Sequence, residues 1–140
     1  MARRPTTARR SDCPISVALE MLGDAWSLLI VRDLMFKNKR RYDELLNAGE
    51  GIATNILSDR LQRLEHVGIL TKRRDPADAR RFVYRLTAKG MDLAPTLVEL
   101  VLWSARHERT AAPPSQLRVM RGQRAQFLAQ LRAEWEATDS

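Results

Sequence analysis

A mainly helical α+β chain is the fold class that the sequence predicts, and three observations predict it. Apolar residues recur at helical spacing through most of residues 14–67 and again after residue 87. Between them, residues 81–86 alternate Phe82, Tyr84 and Leu86 against Val83 and Arg85, which is the period of a strand. Glycines at 23, 49, 51 and 68, with Pro76, interrupt these patterns often enough that each element must be short. With 140 residues, 44% of them apolar, the chain can build one ordinary domain with a real core and is short for two.

Residues 1–11 are basic, contain Pro5 and show no apolar period, so a disordered arm is expected there. Order begins near Asp12. Pro14 suits a first helical position, and Ile15, Ala18, Leu19 and Leu22 then keep helical spacing until Gly23. Asp24 suits the N-cap of a second helix, in which Trp26, Leu29, Ile30, Leu34 and Met35 are apolar on most sides, so that Trp26 reads as core. Residues 37–40 form a polar connector, and Tyr42, Leu45 and Leu46 mark a third helix that ends by Gly49. After the turn at residues 49–51, residues 53–67 place Leu57, Leu61 and Leu64 on one helix face. Gly68 ends that helix. Residues 69–74 and 81–86 read as two strands, joined by the turn chemistry of Asp75, Pro76 and Asp78. Thr87 can cap a long helix carrying Leu93, Leu97, Leu100, Val101 and Trp103, kinked at Pro95. Beyond Pro113 and Pro114 a last helix carries Phe127, Leu131 and Trp135 on one stripe. The expected domains are thus the arm at 1–11, a first domain at 12–108, and a terminal helical segment at 109–140.

The formal charge is +7, and it is concentrated. Residues 1–10 (Arg3, Arg4, Arg9, Arg10), 37–41 (Lys37, Lys39, Arg40, Arg41) and 72–85 (six bases, two acids) carry +4 each, so these three segments hold +12 and the remainder −5. Any single run reads as a solvated face. Three runs flanking one motif read as a footprint for a polyanion, with double-stranded nucleic acid the first candidate.

Three short helices, a turn, a polar-faced helix and a basic hairpin are the order of a winged helix-turn-helix, with the hairpin as wing and the terminal helices left over for dimerisation. A helix fits the major groove of DNA, and hairpin arginines reach phosphates or the neighbouring minor groove. Taking about 100° per residue, the face opposite the leucines holds Asn55, Ser58, Asp59, Gln62 and Arg63, and Thr54 joins them at the helix start. Arg40, Arg41, Arg60, Arg73, Arg74, Arg80 and Arg81 are the candidates to neutralise phosphates. Asp59 is the odd member of the reading face: it can accept from a cytosine amine, or pair with Arg63 one turn on.

The residues also resemble the HxlR-type transcriptional regulators of prokaryotes. The resemblance rests on residues 13–15 leading to 22–26, then 41–45, then 51–57 with Arg60, Leu61 and Leu64, then 68–70, 84–87 with Gly90, and the helix from Pro95 to Trp103. It covers roughly residues 12–105. It implies a homodimeric, sequence-specific DNA-binding regulator whose terminal helices make the dimer; dimeric symmetry in turn predicts an inverted-repeat operator.

Cys13 is the single cysteine, so no disulfide can form within the chain, in keeping with a reducing cytoplasmic location. It precedes Pro14 at a helix start, where the helix dipole and Arg9 or Arg10 favour an anionic sulfur. Some proteins of the family it resembles use a cysteine at the corresponding position to sense oxidants or electrophiles, so a redox role falls to Cys13. The plainer alternative is a small buried side chain packing the dimer, and a narrower rival makes the signal a small molecule held between the long helices and the core, with Cys13 merely structural. Trp103, Phe127, Leu131 and Trp135 can complete a monomer core, but a second copy of the chain is the expected partner.

An enzyme is not expected. The sequence holds no Gly-rich phosphate loop, no metal-ligand spacing and no linked nucleophile and base, so neither a catalytic residue, a metal nor a cofactor is assigned. No apolar run approaches the roughly 18 residues of a membrane span, and no apolar segment follows the basic start as in a secretory signal. The rival from another class is a protein-interaction module that docks a partner protein through the same winged helix.

Overall fold

The computed structural model describes residues 9–138, so residues 1–8 of the expected arm lie outside the described residues. In order, the described residues form α1 (Pro14–Leu22), α2 (Ser27–Phe36), α3 (Tyr42–Leu46), α4 (Thr54–His66), β1 (Leu70–Asp75), β2 (Asp78–Leu86), α5 (Ala88–Met91), α6 (Ala94–His107), α7 (Pro114–Gly122) and α8 (Arg124–Ala137). The strands form a two-stranded antiparallel sheet, with Leu70 opposite Leu86 and Arg74 opposite Phe82. Helices with one hairpin wing are the architecture that the sequence predicts.

The chain divides into two compact units between Gly90 and Met91. The first unit buries Ile30 and Val31 of α2, Leu45 of α3, Leu57, Leu61 and Leu64 of α4, and Leu70 and Leu86 of the hairpin. In the second, Val98 and Leu102 of α6 share a core with Met120 of α7, covered by Leu117, Phe127 and Leu128. The sequence reading carried the first domain on to residue 108. The division falls earlier because α6 packs on α7.

Several local expectations are corrected. Two helices stand where one kinked helix was expected after Thr87. Pro95 lies in the first turn of α6, where its missing N–H leaves no bond unmade. Thr87 does cap, its hydroxyl oxygen accepting the Gly90 N–H at 3.1 Å. Gly90 is required at that place, because a Cβ there would sit 2.3 Å from the Ile69 carbonyl oxygen. The hairpin also runs further than residues 69–74 and 81–86, because the Asp75 carboxylate accepts the Ala77 N–H at 2.9 Å and closes a two-residue turn. Trp26 is half-buried at the start of α2 rather than in the core.

Asp24 holds the corner between α1 and α2. Its carboxylate accepts the N–H groups of Trp26 (2.7 Å) and Ser27 (2.9 Å) and the Ser27 hydroxyl (2.6 Å), and the Arg60 guanidinium lies 3.2 Å away. Burial pushes the carboxyl up, but the Ser27 hydroxyl, the two N–H groups and Arg60 together hold it below its ordinary value. Asp24→Ala is therefore expected to destabilise the chain by about 1–2 kcal/mol at pH 7, as loss of a helix cap does. A depressed carboxyl stabilises the fold above its unfolded pKa near ~4 and ceases to do so as pH falls through the folded value. Urea midpoints of the variant and the wild type should converge below about pH 4; a gap that stays constant from pH 7 to pH 3 would refute this account.

Candidate nucleic-acid interface

α4 is amphipathic in the sense the sequence predicts. Leu57, Leu61 and Leu64 are 0%, 3% and 0% exposed, while Thr54, Asn55, Ser58, Asp59, Gln62 and Arg63 are exposed. The helix packs against α3 and β1, and Gly68, at φ 81°, takes the left-handed conformation that turns the chain into β1. Lys89 donates to the Val67 carbonyl at 2.6 Å, a cation at the negative end of α4 that sequence reading missed.

Two candidates on α4 are engaged elsewhere. Arg60 has a side chain only 19% exposed and pairs with Asp24 and with Asp59, so it braces the α2 corner. Asp59 meets Arg60 rather than Arg63 one turn on. The Tyr42 hydroxyl reaches across from α3 to α4, donating to the Thr54 carbonyl at 3.0 Å and lying 3.1 Å from the Ser58 Oγ. In the sequence Tyr42 marks α3 and belongs to the resembling segment 41–45, but nothing there assigns it this contact. Its one signal in sequence is that a phenol on a largely packed helix face needs a polar partner.

The second and third charge clusters meet in space. The Tyr84 N–H donates to the Arg40 carbonyl at 2.8 Å, and Arg41 forms an isolated antiparallel bridge with Val83, so residues 40–41 run along the edge of β2. Arg41 is fixed there by Asp75, its Nε and Nη2 lying 3.0 and 2.8 Å from the 6% exposed carboxylate side chain. The Ala77 N–H and the Arg41 guanidinium hold Asp75 below the usual carboxylate range. Beside it, a groove of about 410 Å³ is lined by Arg41, Tyr42, Asp43, Arg80, Arg81 and Tyr84.

The other wing cations are exposed but steered. Arg80 pairs with Asp78 at 3.1 Å; Arg81 lies 3.6 Å from Asp78 and 4.0 Å from Asp43. Lys72 and Arg74 stack on the Phe82 ring at 4.2 and 5.0 Å, and Arg74 also donates to the Ala79 carbonyl at 2.7 Å. Arg73 is exposed on the same hairpin. Chemically, this is a polar helix face beside a band of guanidinium groups held out from a two-stranded stem. Such a band suits phosphate, which guanidinium binds with a fork of donors.

Cys13 is exposed at the residue before α1, with its N–H donating to the Ser11 hydroxyl at 3.3 Å. Arg9 is 3.8 Å from Asp12, and the Arg10 N–H donates to Glu20 at 2.7 Å. Ile15 and Leu19, one turn apart on α1, are 71% and 59% exposed. In the second unit Leu100 and Trp103 of α6 are 44% and 58% exposed, whereas Phe127 covers the core of its own unit. The stripe expected to face a second copy is therefore partly consumed within the chain.

The profile described as HxlR-like helix-turn-helix matches residues 21–111. The chain belongs to the HxlR-like helix-turn-helix family. This HxlR-type chain is 39% identical over 88 residues to the HTH-type transcriptional regulator sll1512 of Synechocystis sp., covering 63% of this chain and 64% of that protein. It is 34% identical to the HTH-type transcriptional regulator YvaP of Bacillus subtilis, covering 66% of this chain and 85% of that one. The chain spans just under two thirds of the length of the first curated relatives it matches. Among solved structures, the reduced form of the transcriptional regulator YodB from B. subtilis is similar at a TM-score of 0.58 with 28% identity, covering 69% of this chain and 95% of YodB. These relatives are transcriptional regulators. No single helix among the described residues of this HxlR-type chain is long and apolar enough to cross a membrane.

Proposed function

We propose that the chain is a sequence-specific DNA-binding regulator that acts as a homodimer on an inverted-repeat operator. One observation carries the proposal: the exposed face of α4 lies in the same compact unit as the cation band, in which residues 40–41 are tied to the hairpin through the Tyr84 N–H to Arg40 carbonyl hydrogen bond. In this reading Asn55, Ser58, Gln62 and Arg63 face base edges in the major groove. Arg40, Arg73, Arg74, Arg80 and Arg81 meet phosphates. Arg41 and Arg60, already committed to Asp75 and Asp24, shape the surface instead of contacting DNA. The exposed pairs Ile15 with Leu19 and Leu100 with Trp103 support self-association, since apolar side chains so exposed gain from being covered.

The exposed thiol of Cys13 supports a redox or electrophile signal, and solved structures of the similar YodB include quinone-bound and diamide-treated forms. One experiment addresses both parts: footprinting the DNA upstream of the chain's own gene with wild type and Cys13→Ser, with and without diamide. The expected result is protection of two half-sites about one helical turn apart, lost on diamide in the wild type and kept in Cys13→Ser. Absence of protection at low salt overturns DNA binding, and equal loss in both proteins overturns the thiol signal.

A further inference from the structure

Hydroxyl groups usually read DNA ambiguously, because each can donate or accept. Ser58 is an exception by its surroundings. The Tyr42 hydroxyl lies 3.0 Å from the Thr54 carbonyl oxygen, an atom that only accepts, so the single phenolic proton is committed to that bond. The Ser58 Oγ lies 3.1 Å from the same phenolic oxygen. With the phenolic proton already used, that contact is a hydrogen bond only if Ser58 donates its own proton to Tyr42. The hydroxyl on the exposed face of α4 then has lone pairs alone to offer outward.

We infer that Tyr42 fixes Ser58 as a hydrogen-bond acceptor, so that Ser58 selects a base presenting an amine in the major groove, the N6 of adenine or the N4 of cytosine, and disfavours guanine and thymine at that position. The inference rests on the reading of α4 as the DNA-facing helix. Guanine offers N7 and O6 and thymine offers O4 in that groove, all acceptors, which would face the Ser58 lone pairs. Phosphate oxygens are acceptors too, so the same polarity steers Ser58 away from the backbone and toward base edges. Tyr42 acts through Ser58 and is a positioning residue.

The test is selection from a randomised DNA pool by the purified full-length wild type, Ser58→Ala and Tyr42→Phe. Ser58→Ala identifies the position, as the one whose base preference falls; a single such bond predicts a fall on the order of 3- to 10-fold. At that position the wild type is expected to select adenine or cytosine. Tyr42→Phe frees the Ser58 proton, so there the preference is expected to broaden toward guanine or thymine, with the other positions unchanged. Wild-type selection of guanine or thymine at the Ser58 position overturns the inference. So does a Tyr42→Phe protein that weakens all sequences alike, as a merely structural loss would, and so does a Ser58→Ala protein with an unaltered motif, a result that holds even if Tyr42→Phe does not fold. A wild type that retains no DNA instead brings down the DNA-reading itself, and this inference with it.

Discussion

Leu64→Ala is expected to destabilise the chain by about 3 kcal/mol, with a corresponding fall in the urea midpoint and no change in slope. Leu64 is 0% exposed, at the end of the stripe that seats α4 on the rest of its unit. Deleting a buried leucine side chain to Cβ removes its transfer free energy and leaves a cavity, and close packing lets the surroundings recover only part of that. Against a typical total of about 5–15 kcal/mol, such a loss is a large fraction of what keeps a small domain folded. Glu65→Ala, one residue on and exposed, is the control and should shift stability by less than about 0.5 kcal/mol. Equal effects of the two substitutions would mean that α4 is not held by its leucine face.

That stripe is also what the sequence made most legible. Leucines at 57, 61 and 64 have the period of a helix face, and period survives folding because it depends only on local geometry. The exposed residues opposite them, Asn55, Ser58 and Gln62, follow from the same rule. What could not be read is which long-range partner each charged side chain takes. Arg60 with Asp24 and Arg41 with Asp75 are 36 and 34 residues apart in sequence, and no local pattern ties them. Sequence pattern alone therefore gives no sign that these two arginines have carboxylate partners within the chain. The meeting of the 37–41 and 72–85 clusters is of the same kind, since it depends on a strand edge that only the folded hairpin provides. Pro95 was misplaced for a different reason. Proline is compatible with a helix start and disruptive inside, and the preceding residues 88–93 are too helix-compatible to show where one helix stops and the next begins. Phe127 shows the limit of a stripe as a signal: an apolar period says that something covers it, not whose chain does so.

Replacing Arg73, Arg74, Arg80 and Arg81 together by Ala is expected to produce the largest functional loss, through salt dependence and not through base preference. Each phosphate contact contributes about 0.9 to the slope of log affinity against log salt. Four lost contacts make that slope shallower by about 3.6, so over one decade of salt concentration the wild type loses roughly 10^3.6-fold more affinity than the variant, whose deficit against the wild type is therefore largest at the low-salt end. The pairs that Arg80 and Arg81 make with Asp78 do not prevent such contacts. Arg80 is 90% exposed and Arg81 52%, and exposed pairs of this kind are worth about 0–1 kcal/mol, so phosphate can displace the carboxylate. Arg60→Ala supplies the opposite case. Its side chain is 19% exposed between Asp24 and Asp59, so its removal should lower the urea midpoint and leave the salt slope as it was. Binding isotherms between 50 and ~500 mM salt separate the two. If Arg60→Ala lowered the slope while the fourfold hairpin variant did not, the division of these arginines into bracing and phosphate-contacting groups would be the wrong way round.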